Sequence, residues 1–263
     1  MADRETWRIA DRMVLSEADA RELLQQLACK QIENDAASAA AYQAGVDYLI
    51  VSCLIHSGLT NSEFCGLTLG DTVVGSGESS FRVRGRKGRP RVVVVPQRVS
   101  QLVLDYARDI RPRLLPEGVG AEELDQPLVL SERRGRYHRT GLYRRVVRIL
   151  TQAGFADRAS VHLFRHTYGC LAYARTGGNL LFVQRQLGHA HPQITTVYAR
   201  RVEESYEALA ERVGLALMWE EPASLGGQSV GDAVGAARSA GADRVDVETT
   251  SRRRRELAIG ETD

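Results

Sequence analysis

Apolar residues recur at helical spacing through most of the chain and alternate in one central stretch only. After Ser16, a side chain suited to an N-cap, Leu23, Leu24 and Leu27 share a helical face. Tyr42 to Ile55 is apolar on most sides and reads as a buried helix, closed by Ser57 and Gly58. Thr60 stands three residues before Glu63, a capping-box spacing that predicts a short helix through Phe64, Cys65 and Leu67. The pattern then changes to short strands at Thr72–Val74, Phe81–Arg84 and Val92–Val95. Turn-rich Gly85–Pro90 joins the last two as a hairpin with a basic tip. A helix is expected near Val99–Ile110, ended by Arg111-Pro112, and Pro127–Leu130 reads as extended. Thr140 is expected to cap a basic helix reaching about Ala153, and Ser160 or Val161 to open another through Tyr173. Asn179 caps Leu180–Leu187, Gln193–Arg200 forms a short helix, and Val202–Trp219 carries an amphipathic stripe of Tyr206, Leu209, Val213 and Leu217.

These elements predict a mainly α fold with a small antiparallel β-sheet, of the α+β class. The stretch 1–12 reads as an N-terminal extension and 13–219 as one domain. From 220 to 263 the chain turns to Gly, Ala, Ser and isolated charges, too poor in apolar residues to order itself, so a disordered tail is expected.

With 263 residues, 43% hydrophobic and 26% charged, the chain has the balance of a soluble globular protein, which excludes wholesale disorder and a membrane-embedded chain. Aromatics are 6%, so the core must come mainly from Leu, Val, Ile and Ala. The apolar stretch Val46–Ile55 is broken by Asp47 and Ser52 and is too short to span a bilayer. The opening MADRETWRIADR has no apolar signal core, so a cytoplasmic location without membrane association is expected. Cys29, Cys53, Cys65 and Cys170 are scattered among apolar or small neighbours and read as reduced, packed thiols rather than zinc ligands or a disulfide.

A net charge of +2 says little about partners, but its distribution says more. Arg82, Arg84, Arg86, Lys87, Arg89 and Arg91 form a run with no acid among them. A second run holds Arg133, Arg134, Arg136, Arg139, Arg144, Arg145 and Arg148 against Glu132. Either alone reads as a solvated surface. Two runs dominated by Arg, whose fork fits phosphate oxygens, point to a phosphate-rich partner.

The densest chemistry lies in SVHLFRHTYGCLAYARTGGNLLFVQRQLGHAHPQITTVYARR. His162 and Arg165 lie on one helical face, His189 follows a Leu-Gly turn, and Tyr198 comes nine residues later. Each alone has a structural explanation. Together they suit a phenol nucleophile, which needs its proton removed and the developing negative charge neutralised. His162 and His166, four apart, have zinc-like spacing, but no Glu stands in the required place and no third ligand is evident.

The H-x-x-R-H-T run, the L-G-H turn and the T-x-x-Y-A-R ending resemble the catalytic domain of the tyrosine recombinases, the phage-integrase family. HSGLTNSEFCGLTLGDT resembles that family's T-G-L-R-x-S-E-L-x-x-L motif, and RVRGRKGRPRVVVVP its G-K-G-x-K-x-R-x-V-P hairpin. The match runs from about Met13 to Val213. It implies site-specific recombination of DNA through a 3′-phosphotyrosine, with Tyr198 as nucleophile and Arg165 clamping the scissile phosphate. It also implies that His162 and His189 bond the phosphate and assist proton transfer. Lys87, a better match than Arg86, would protonate the leaving 5′-oxygen. No metal and no nucleotide cofactor is implied. Arg82, Arg84, Arg86, Arg89, Arg91, Arg139, Arg144 and Arg145 are the expected contacts to double-stranded DNA. The partners implied are duplex DNA and either a homo-oligomer on it, a tetrameric synapse, or a partner recombinase. A type IB topoisomerase would share the chemistry, but the L-G-H turn and its spacing to Tyr198 favour a recombinase.

Two departures stand out. Thr60 occupies the place of the family's first catalytic Arg, although Gly58, Leu59, Ser62 and Glu63 keep the motif around it. Loss of one such contact costs ~3–4 kcal/mol, a factor of about a hundred to a thousand in rate. Either another arginine, such as one from the basic hairpin, fills the gap, or the site is weakened. The family's helical core-binding domain would precede the match, and only about a dozen residues do so here. A DNA-binding accessory or regulatory relative is therefore the rival reading.

Overall fold

α2 (Ala39–Ser57) is apolar on nearly every side, and nearly all its residues from Val46 to Ser57 are buried. A helix of that kind needs neighbours all round. α1 (Glu17–Glu33) lays Leu23 and Leu27 against it, and α4 (Gln97–Asp105) and α7 (Val161–Arg175) cover other sides. The computed structural model describes residues 9–33, 38–74, 79–85, 90–115 and 124–201. The expected helix at 202–219 and tail at 220–263 lie outside the described residues, as do Arg86, Lys87 and Arg89.

Gly58 ends α2 in the left-handed conformation, φ 63°, and the chain turns directly into α3 (Asn61–Gly66). The capping box is formed as expected: the Thr60 hydroxyl accepts from Glu63 N–H and the Glu63 carboxylate accepts from Thr60 N–H at 2.9 Å. β1 (Thr72–Val74), β2 (Ser79–Arg84) and β3 (Pro90–Val94) form the small antiparallel sheet in sequence order. Its register pairs Phe81 with Val93, Arg82 with Val92 and Val83 with Arg91. Alternation sends Phe81, Val83 and Val93 into the core, leaving Arg82, Arg84, Val92 and Val94 exposed.

Helix boundaries depart from expectation in two places. α4 does not stop at Arg111-Pro112 but runs through a π-turn (Tyr106–Ile110) into α5 (Arg111–Leu114). The π-turn resets the hydrogen-bond register, so Pro112 falls in the first turn of α5, where a missing N–H is tolerated. α6 (Arg139–Gln152) is capped by His138, whose ring accepts from Thr140 N–H at 3.3 Å, rather than by Thr140 itself. Ser160 and Asn179 cap α7 and α8 (Leu180–Leu187), and α9 (Pro192–Ala199) follows.

The second basic run also needs a correction. Arg145 is not available to DNA: it is 6% exposed and donates to Asp47 at 2.6 Å, to the Tyr137 hydroxyl and to the Gln43 carbonyl. It ties α6 to α2, while Arg139 and Arg144 on the same helix are exposed. Cys53 and Cys65 are buried and Cys170 half-buried, but Cys29 is exposed. Two apolar clusters result. The larger joins α1–α7 and the sheet, and the smaller holds Ile9, Val14, Ala172, Val183, Leu187, Val197 and Tyr198. Among the described residues, no helix is long and apolar enough to cross a membrane.

Candidate active site

α7 supplies one wall. His162, Arg165, His166 and Gly169 recur at steps of three, one and three, which puts them along one helical face. Arg165 is 8% exposed and donates to Gly58 O and Leu187 O, both at 2.7 Å. Those acceptors are the carbonyl that closes α2 and the one that ends α8, so the guanidinium is fixed by two helix termini. Neither acceptor is an anion. Burial, which disfavours the cation, lowers the Arg165 pKa from its ordinary value.

Tyr198 on α9 is 1% exposed, with its ring lying over Gly169. A side chain at 169 would occupy the ring's position, so this close approach requires glycine. The His189 ring stacks on Tyr198 at 6.1 Å between centroids and 2° between planes. His189 Nδ1 lies 2.9 Å from the Thr195 hydroxyl, which sets the ring's orientation. His166 Nδ1 is 3.4 Å from the Tyr198 hydroxyl, and the His162 ring follows at 6.3 Å from that of His166. His162 itself is exposed, at the open side of the group.

Burial dominates the electrostatics. It pushes the Tyr198 phenol up to about 12, against the pull of Arg165. It also drives His166 and His189 down to about 4, aided by the surrounding cations, and lowers His162. Near neutral pH the histidines are therefore uncharged and able to accept a proton.

The structure brings together Arg165, His162, His189 and Tyr198; Lys87 lies outside the described residues. Thr60 sits at the rim as a helix cap. Sequence reasoning leaves out three residues that the structure places beside this group. His166 stands out in the sequence only for its zinc-like spacing, although its step from Arg165 and Gly169 places it on the site face. Glu63 read only as the second half of a capping box. Arg91 is expected among the arginines that contact DNA, whereas it pairs with inward-facing Val83 and donates to Glu63 and Gln186 O. Among the described residues, no group of three or more His, Cys, Asp or Glu is arranged to hold a metal.

This fold, a helical domain with a three-stranded antiparallel sheet and a buried tyrosine on α9 packed against α7, is that of the tyrosine-recombinase catalytic domains. It aligns with the crystal structure of XerA recombinase over 81% of this chain and 67% of that one, with TM-score 0.57 and 24% identity. It also aligns with XerH site-specific recombinase bound to difH substrate in a pre-cleavage complex, over 82% and 56%, with TM-score 0.61 and 20% identity. The model of the phage integrase family matches residues 14–205, and the chain belongs to that family. Similar curated proteins include the tyrosine recombinase XerC of Agrobacterium fabrum, 30% identical over 149 residues (57% of this chain), and that of Brucella suis biovar 1, 31% over 159 residues (60% of this chain). The matched stretches span 44% and 46% of those relatives' lengths.

Proposed function

We propose that residues 13–219 form the catalytic domain of a site-specific recombinase that breaks and rejoins strands of duplex DNA through a 3′-phosphotyrosine. The observation that carries this reading is the buried phenol of Tyr198, set among neutral His166 and His189 and near the anchored cation Arg165. Among the described residues this buried cation bonds two neutral carbonyls, which leaves it hydrogen-bonding capacity and charge to offer an anion. A phosphodiester supplies one. The Tyr198 oxygen bonds to phosphorus as the bond from phosphorus to the 5′-oxygen breaks. The phenolic proton passes to a neutral histidine, and the leaving 5′-oxygen takes a proton from an acid, the role of Lys87. Arg165, with His162 and His189, bonds the non-bridging oxygens as their charge grows. Resolution reverses these steps with a different 5′-hydroxyl, so the energy of the broken bond is kept in the phosphotyrosine.

Exposed Arg82, Arg84, Arg139 and Arg144, with Arg86 and Arg89, contact the DNA backbone. Assembly as an oligomer on DNA, a tetramer or a pairing with another recombinase, would bring two duplexes together for strand exchange. The test is a library of nicked duplexes randomised across the core, in which loss of the short 5′-ended fragment traps the covalent complex. The wild-type protein is expected to give a detergent-stable adduct on an enriched sequence, and Tyr198→Phe none while binding within a few-fold of wild type. Absence of any wild-type adduct would favour the accessory reading instead.

A further inference from the structure

The turn that closes α8 holds more than Arg165. In four consecutive residues, Gln186 O accepts from Arg91 Nε at 2.9 Å and Leu187 O accepts from Arg165. Gly188 lies against the Arg91 guanidinium, and His189 stacks on Tyr198. Gly188 has φ 69°, and a Cβ there would fall 2.8 Å from Arg91 Cζ, so the close approach and the left-handed turn both call for glycine. Arg91 is thus seated beside the same backbone segment that positions the arginine and histidine of the proposed site.

Its other partner is Glu63. The carboxylate takes one N–H from each terminal nitrogen of Arg91, at 2.5 and 3.2 Å, and also accepts from Thr60 N–H. The bidentate pair fixes the plane of the fork, and the side chains are 13% and 11% exposed. A guanidinium has five N–H donors, and among the described residues these bonds use three, one on Nε and one on each terminal nitrogen. The side chain at position 60, where the resemblance would place an arginine, is a hydroxyl turned inward on its own helix as a cap. The carboxylate that completes that cap is the one that holds the Arg91 guanidinium.

We propose that Arg91, reaching in from β3, supplies the second phosphate-binding guanidinium of the site, in place of the arginine that position 60 lacks. This rests on the strand-cleavage reading above. Arg91 contacts a non-bridging oxygen of the scissile phosphate, and Glu63 is a positioning residue that aims the fork. The inward parity of residue 91 separates it from Arg82 and Arg84, which face outward and meet the DNA backbone elsewhere.

The duplex enriched by wild-type protein serves as the probe in two forms, one with its natural scissile phosphate and one with a neutral methylphosphonate at that linkage. If Arg91 neutralises phosphate charge, Arg91→Ala slows adduct formation about a hundred-fold or more on the phosphate and less than about ten-fold on the methylphosphonate. A merely structural Arg91 would slow both equally, and that result, or no loss on either, overturns the proposal. A second variant does not depend on Arg91→Ala folding. Thr60→Arg, its folding checked by melting temperature, is expected to leave the phosphate rate level or lower it, because the gap is already filled. A ten-fold gain overturns the proposal. If the wild type traps no adduct on the library, the strand-cleavage reading itself fails and this inference falls with it; an adduct with equal losses defeats the inference alone.

Discussion

At position 169 the Tyr198 ring stands where any side chain would begin, and this makes one methyl group decisive. In an open helix interior Gly→Ala would stabilise by about 1 kcal/mol. Here Gly169→Ala forces the phenol away from His166 and His189, so adduct formation should fall ten-fold or more, and the melting temperature should drop rather than rise. A rise in melting temperature with full adduct yield would mean that the ring sits elsewhere. Histidine titration gives a second residue-scale expectation. His166 and His189 are held near 4 by burial first and neighbouring cations second, and burial also lowers His56 and His162. An unfolded histidine titrates near 6.5, so below about that pH the unfolded chain binds more protons than the folded one. The stability that these groups contribute is full above about 6.5 and declines as pH falls towards 4. Melting temperature should therefore drop between pH 7.5 and 5.5, a window above the carboxylates, and drop less in His166→Gln. An equal drop in that variant would place the proton uptake on other groups.

Single elements show which signals in the sequence were local and which were not. The caps at Thr60, Ser160 and Asn179 were legible because a cap is a contact between near neighbours. The continuation past Pro112 was not, because the π-turn that accommodates it is held by packing of Tyr106 and Arg111 against remote segments. The two misassigned arginines fall between these cases. Arg145 lies on the apolar stripe with Leu142, Val146 and Ile149, so helical periodicity already marks it as inward, but its partner Asp47 is 98 residues away in sequence and only the fold reveals it. Arg91 has the parity of Val93, an alternation hidden by the unbroken valine run that follows it. The hairpin therefore presents Arg82 and Arg84 to solvent and Arg91 to the site. Arg84→Ala should weaken binding to duplexes of any sequence alike and reduce the log–log salt slope by about one unit, the contribution of one phosphate contact. An unchanged slope in titrations at several salt concentrations would make that face of the hairpin a solvated surface.

On the scale of the molecule, the chemistry is divided between two apolar clusters of unequal size. The larger one surrounds α2, where Ile50, Val51, Cys53 and Leu54 are wholly buried. The smaller one carries Tyr198 and, among the described residues, holds α9 through Val197 and Tyr198. Eight residues are too few for a helix to persist without its packing, so α9 depends on this contact and on the bond between Thr195 and His189. A phenol that is 1% exposed must also move outward to meet a phosphate as large as a DNA backbone. Small anchorage and the need to move lead to the same expectation: α9 opens locally while the α2 core stays shut. Native-state hydrogen exchange followed in low concentrations of denaturant should show amides of Val197 and Tyr198 exchanging at a free energy below the global value, with little denaturant dependence. Val51 and Leu54 should exchange only through global unfolding. If the α9 amides instead merge with those of α2, Tyr198 is released only when the whole domain unfolds, and the phosphate would have to reach the phenol where it now lies, through the side marked by exposed His162.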